Sequence, residues 1–156
     1  MAKQIIGLES LLRKLNAMGG KTLDAIERAV DTTVEATHGD AGRNTKYGSI
    51  RSALQREVKV DGNSVNGRVF INLFHAQFIE FGTGPKGQAN HAGISPNVGV
   101  SYTRHSWVYP TEDGGFVTTS GQPAKPFLYP AAKQNEDVFE REVAKELTNE
   151  MRRMGG

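Results

Sequence analysis

"FHAQFIEFGTGPKGQ", residues Phe74–Gln88, sets helical spacing directly against a break. Apolar side chains surround one glutamate, and glycine and proline follow at once. Phe74, Phe78 and Phe81 stand at i, i+4 and i+7, the spacing of one helical stripe. Gly82 falls where a left-handed C-terminal cap belongs. The spacing predicts a short buried helix over 74–81, following a strand; a strand running through 81 fits it less well. Glu80 then lies in the last turn, where a carboxylate faces the negative end of the helix dipole. If buried, it needs a cation or several N–H donors. It reads first as a solvent-facing or internally satisfied glutamate. A subunit-interface group and a catalytic acid are the alternatives.

Upstream, "RNTKYGSIRSALQREVKVDGNSVNGRVFINLF" begins rich in turn residues. Leu54, Val58 and Val60 share a parity with Arg56, and Val69, Ile71 and Leu73 alternate. These predict an antiparallel hairpin, 54–60 with 67–73, joined by a loose polar loop in which "DGN" and "NG" signal turns. Further back, Leu8, Leu11, Leu12, Leu15 and Met18 recur at helical spacing, ended by Gly19-Gly20. Leu23, Ile26, Ala29, Val30, Thr33, Val34 and Thr37 form the face of a second helix, with Thr22 as N-cap and Gly39 as stop.

Downstream, residues 82–101 hold five glycines, two prolines and one charge, which reads as a long loop. "SWVYPTEDGGFVTT" reads as a second hairpin turning at residues 112–115. Prolines 123, 126 and 130 forbid regular pairing and stiffen the approach to a last helix, with Pro130 in its first turn. Phe139, Val143, Leu147, Met151 and Met154 form its stripe, and the acidic start and basic end complement the dipole. The expected organisation is one domain over 1–156. It comprises two helices (1–40), a hairpin and short helix (41–81), a long loop (82–106), a second hairpin (107–125) and a C-terminal helix (126–156).

The chain has 156 residues and no cysteine, so it can bury a core without a disulfide staple, and a thiol nucleophile or cysteine-bound zinc is excluded. No apolar stretch approaches the roughly 20 residues of a membrane span, and no signal peptide is visible after Met1. The expectation is a protein made in a reducing cytoplasm. Net charge is +2, but residues 41–75 hold six basic side chains (Arg43, Lys46, Arg51, Arg56, Lys59, Arg68) against two acidic ones. These form a solvated face or contact DNA phosphates, without the aromatic interleaving that base stacking uses.

No catalytic constellation emerges. His38, His75, His91 and His105 never pair at i,i+3 or i,i+4, no serine sits in a G-x-S-x-G context, and "GTGPKGQ" lacks the G-x-x-x-x-G-K-[ST] pattern. His75 reads as a core histidine. No catalytic residue, metal ligand or cofactor is assigned.

The order of "GLESLLRKL", a second helix, "TKYGSIRSAL", a hairpin, "HAQFIEFGTG" and "GQPAKPFLYPA" before a terminal helix resembles the phage head–tail joining, or tail completion, family of tailed bacteriophages. The most specific parts are Phe78, Ile79, Glu80, Phe81, Gly82 and Thr83, and Pro123, Ala124, Lys125, Pro126, Phe127, Leu128, Tyr129, Pro130 and Ala131. Thr45, Gly48, Ser49, Ile50 and Arg51 form a looser likeness to a T-G-x-L-R-x-S segment.

The resemblance implies an α+β fold: a small antiparallel sheet packed by N-terminal helices and a long C-terminal helix, tail terminator-like. It implies a non-enzymatic virion protein, assembled in the host cytoplasm. The protein would form a sixfold ring at the head-proximal tail end, meeting the tail tube and neck proteins, with DNA passing the bore. Under it Phe78, Glu80, Phe81, Gly82, Thr83, Pro123, Ala124, Pro126, Phe127 and Leu128 are family-motif or interface residues, and the six basic residues are candidate DNA or lumen contacts. Phe74, Phe78 and Phe81 would pack under the sheet. Phe127 and Leu128 would enter the core, and Glu80 would accept backbone donors from the second motif or a neighbouring subunit. A DNA-binding module using 41–75 is the rival reading.

Overall fold

The computed structural model describes residues 8–155. Its fold is α+β, with two small antiparallel sheets and a long C-terminal helix. Two compact units make up the chain. One comprises the stretch to Ala36, Arg56–Arg68 and the stretch from Asn135; the other comprises Thr37–Gln55 and Val69–Gln134.

In the first unit, helix α1 (Leu8–Met18) is followed at once by α2 (Gly20–Asn44). Gly19, at φ 53°, makes the turn in the left-handed region that glycine adopts without strain. Met18 is buried and Leu15 half-buried; the side chains of Leu8, Leu11 and Leu12 lie outside the described residues. Thr22 is not the N-cap: it lies inside the first turn of α2, and its hydroxyl donates back to the Leu15 carbonyl at 3.2 Å. Ala25, Ala29, Val30 and Val34 are the buried stripe of α2 in this unit. Strand β2 (Ser64–Ile71) lies directly on it at Gly67, where a Cβ would meet Val30 Cγ1 at 2.5 Å. The "NG" at 66–67 is therefore strand, and the hairpin turns earlier and more tightly. Strand β1 (Leu54–Asp61) reaches β2 through Gly62 and Asn63 alone, with Gly62 at φ 54°.

The C-terminal helix is broken in two. Helix α6 (Leu128–Gln134) ends before Asn135, which is buried at φ −98° and ψ 7°, and α7 (Glu136–Met154) begins after it. Asn135 takes the N-cap place without a side-chain cap bond, and Glu136 and Asp137 in the first turn suit a fresh helix start. The expected stripe of α7 is half-open: Phe139 and Met154 are exposed, and the buried residue is Glu150. Arg28 of α2 holds Glu150 and Glu146 at 2.6 and 2.7 Å, and Arg153 holds Glu150 at 2.7 Å. The Arg28 guanidinium is pushed above its ordinary range, chiefly by its bond to Glu146.

In the second unit α2 continues through Gly39 to Asn44, so Gly39 is not a stop. Burial of Thr37 and Ala41 outweighs the modest helix cost of one glycine. The core gathers Ala41, Ile50 of α3 (Gly48–Ala53), Leu54, Ala76 and Ile79 of α4 (Ala76–Phe81), Phe127 and Ala131. Pro130 takes its place in the first turn of α6.

The expected aromatic stripe turns the other way. Phe74 is 78% exposed, Phe78 is exposed and Phe81 half-buried, while Ala76, Ile79 and Glu80 face inward. Both sets have helical spacing, and the inward one carries the carboxylate. Phe74 and Phe78 meet edge to face at 5.1 Å on the surface.

The loop expected over 82–106 contains a short helix, α5 (Gly84–Ala89). The second hairpin forms where expected: β3 (Trp107–Pro110) pairs antiparallel with β4 (Phe116–Thr119), Val108 opposite Thr118 and Pro110 opposite Phe116.

Phe127 is 1% exposed. Phe127→Ala is expected to cost roughly 3–5 kcal/mol in urea unfolding, and Phe78→Ala less than about 1 kcal/mol. Equal losses would mean the aromatic stripe is core after all.

Candidate functional site

The two motifs singled out in the sequence are each other's partners. Residues 78–83 and 122–129 run beside one another, and the proline-rich segment lays its N–H groups along the first. Gln122 N donates to the Thr83 carbonyl at 3.1 Å, and Thr83 N returns a bond to Gln122 at 2.9 Å. Lys125 N donates to the Ile79 carbonyl at 2.7 Å, and Ala124 N to Asn90 at 2.8 Å. Phe127 N and Leu128 N donate to Glu80 Oε2 at 2.7 and 3.0 Å, and Tyr129 N to Oε1 at 2.9 Å. Pro123 and Pro126 have no N–H to place. Each backbone donor from Gln122 to Tyr129 therefore has a partner.

Glu80 is buried, and among the described residues no cation pairs with it. Its carboxylate sits where α6 begins and satisfies N–H groups that a helix start leaves open. The negative charge is unfavourable at the end of α4 and favourable at the start of α6. Both oxygens are occupied by these donors, so the group serves the joint between α4 and α6.

Glycine makes the backbone approach possible. At Gly82 a Cβ would meet Ala124 N at 2.6 Å, and at Gly84 it would meet the Trp107 ring at 2.6 Å. Gly82 has φ 73° and ψ 176°: a glycine conformation, but outside the left-handed helical region expected of its cap. Two contacts were not legible in the sequence. Gln122 Nε2 donates to the Phe78 carbonyl at 3.0 Å, and the Tyr102 hydroxyl to the Phe81 carbonyl at 2.7 Å. Burial pushes the Tyr102 phenol above its ordinary range.

Beside this joint lies an open groove of about 620 Å³, walled by Ile71, Leu73, Phe74, Val98, Leu128 and Ala132. The histidines are scattered. His75 is exposed rather than core, His38 Nε2 lies 3.3 Å from the Leu54 carbonyl, and His91 stacks on Tyr102.

Most of the basic residues are engaged within the chain. Arg51 closes the C-terminal end of α2, donating to the Gly42 and Thr45 carbonyls at 2.9 and 3.0 Å. Thr45 accepts from Tyr47 N, and Ile50 fills the core, so this looser motif is a helix-ending device. Arg43 pairs with Asp40, Arg56 with Asp31 at 3.0 Å, and Lys59 and Arg68 with Glu57 at 2.9 and 2.6 Å. The Lys59 and then Arg68 bonds hold the Glu57 carboxyl below its usual range. Lys46 is exposed.

Residues 9–82 match the HK97-gp10-like family, described as "Bacteriophage HK97-gp10, putative tail-component". Over these residues, somewhat under half of its length, the chain is similar to that family. The match covers α1 to α3, the first hairpin and α4 with Gly82. The proline-rich motif that α4 binds lies beyond it. No curated protein and no solved structure matches the chain. Among the described residues no helix is long and apolar enough to cross a membrane.

Removing the carboxylate tests the joint. Glu80→Ala leaves three donors without their acceptor and is expected to cost roughly 2–5 kcal/mol by urea unfolding. Glu80→Gln keeps the shape but aims an amide N–H₂ at a donor, and is expected to cost roughly 1–3 kcal/mol. A loss below about 0.5 kcal/mol for both would show that the carboxylate holds nothing.

Proposed function

We propose that this protein is a structural virion component that forms a ring at the head-proximal end of a phage tail or neck, completing the tail and joining it to the head. The observation that carries the reading is the HK97-gp10-like match over residues 9–82. It acts by contact rather than by chemistry. In support, the buried carboxylate most open to a catalytic reading, Glu80, spends both oxygens on backbone donors.

Its partners under this reading are further copies of itself in a sixfold ring, the tail tube and the neck proteins. Passing DNA would meet basic side chains without sequence readout. The rival, a DNA-binding module built on residues 41–75, is weakened because Arg43, Arg56, Lys59 and Arg68 sit on carboxylates and Arg51 on carbonyls.

Virions assembled with an epitope-tagged chain test the location. Labelled antibody in negative-stain electron microscopy is expected to mark the head-proximal tail end. Deleting the gene is expected to leave tails and filled heads unjoined. Label along the tail shaft or at its tip, or normal infectious particles after deletion, would overturn the proposal.

A further inference from the structure

Asn66 and Gly67 form the one Asn-Gly pair in the sequence. Such a pair modifies itself in water. The amide nitrogen of the glycine attacks the asparagine side-chain carbon Cγ, and ammonia leaves. The five-membered succinimide that results takes up water and opens to aspartate or to isoaspartate. In isoaspartate the main chain runs through the side-chain methylene and is longer by that carbon. Glycine favours the reaction because no side chain hinders its nitrogen and its backbone turns freely.

The packing that demands glycine here also holds the pair still. At position 67 a Cβ would meet Val34 Cγ2 at 2.4 Å and Val30 Cγ1 at 2.5 Å, so β2 lies on α2 only with a glycine at this place. Along its edge β2 is paired with β1. Ring closure needs rotation about the Asn66 Cα–C bond, until the Gly67 nitrogen comes under Cγ. Extended backbone keeps those atoms apart. Rotating the bond would lift Gly67 off the two valines. Water is not what is missing, since Asn66 is exposed, in a small recess with Glu57, Lys59 and Arg68. Geometry alone restrains the reaction.

We propose that Asn66 is a latent deamidation site, gated by the docking of β2 on α2. While the strand is docked the amide persists. When the strand lifts away, the side chain converts to aspartate or isoaspartate. The isoaspartyl chain does not dock again in the same way, because its longer main chain displaces Gly67 from the spot where only glycine fits. The modification is thus a lasting mark on chains whose β2 has opened. It is independent of the ring reading.

The test holds the whole chain at mildly alkaline pH, folded and in parallel in urea, and follows residue 66 by peptide mapping with mass spectrometry. Loss of the Asn66 amide is expected to be at least about tenfold slower in the folded chain, since reaction must wait for the strand to open. Val34→Ala removes part of the surface under Gly67 and is expected to speed the loss in the folded chain. If that variant does not fold, Val34→Thr, which keeps the shape and adds a hydroxyl, takes its place. Equal rates for the folded chain and the chain in urea overturn the gate. No loss in urea shows the pair to be unreactive and overturns the site. A folded valine variant that reacts at the wild-type rate overturns α2 as the restraint.

Discussion

A proline-rich segment must place its few N–H groups somewhere, and in this protein one carboxylate takes three of them. Phe127, Leu128 and Tyr129 present consecutive donors at the start of α6, and Glu80 reaches them from α4. Buried donors left open would each cost on the order of 1–3 kcal/mol, so the bonds fix how α4 and α6 face each other. Phe127 is thereby held in the core beside Ile50, Ile79 and Ala131. The orientation of α4 follows. With Glu80 inside, Ile79 and Ala76 go inside too, and Phe74 and Phe78 are left on the surface.

That consequence explains the main misreading available in the sequence. Residues 74–81 contain two helical stripes, Phe74–Phe78–Phe81 and Ala76–Ile79–Glu80. Hydrophobicity alone favours the aromatic one. The deciding fact lies some fifty residues away, in the donors that only the carboxylate stripe can satisfy. The need was legible, since a buried glutamate requires N–H groups or a cation, and so was the pairing of the two motifs. Which face turned in was not, because periodicity carries no information about a distant partner.

Element types were largely legible, and their ends were not. Gly39 reads as a stop, yet the helix runs on because Ala41 has a core to enter. "NG" at 66–67 reads as a turn, yet Gly67 is strand because its missing side chain lets β2 lie on Val30 and Val34. The terminal helix reads as continuous, yet it restarts after a buried Asn135. In the first two cases a tertiary contact outweighs a local preference worth about 1 kcal/mol or less. Arg51 shows the same for function: as one of a basic cluster it suggests DNA, whereas its guanidinium closes a helix.

The surface that remains has a simple physical logic. Cations of the 41–75 block are largely matched by carboxylates or carbonyls of the chain itself, so their long-range field is reduced. The large apolar groups left exposed, Phe74, Phe78, Val108 and Phe116, are not matched in this way. Water tolerates such groups singly, and Phe74 and Phe78 meet edge to face at the surface. The Glu80 joint connects the two observations. By drawing the Ala76–Ile79–Glu80 face of α4 inward to satisfy the proline-rich segment, it puts the aromatic face outward. Internal hydrogen-bond satisfaction and the exposure of Phe74 and Phe78 thus have one cause, the choice of which side of a six-residue helix is buried.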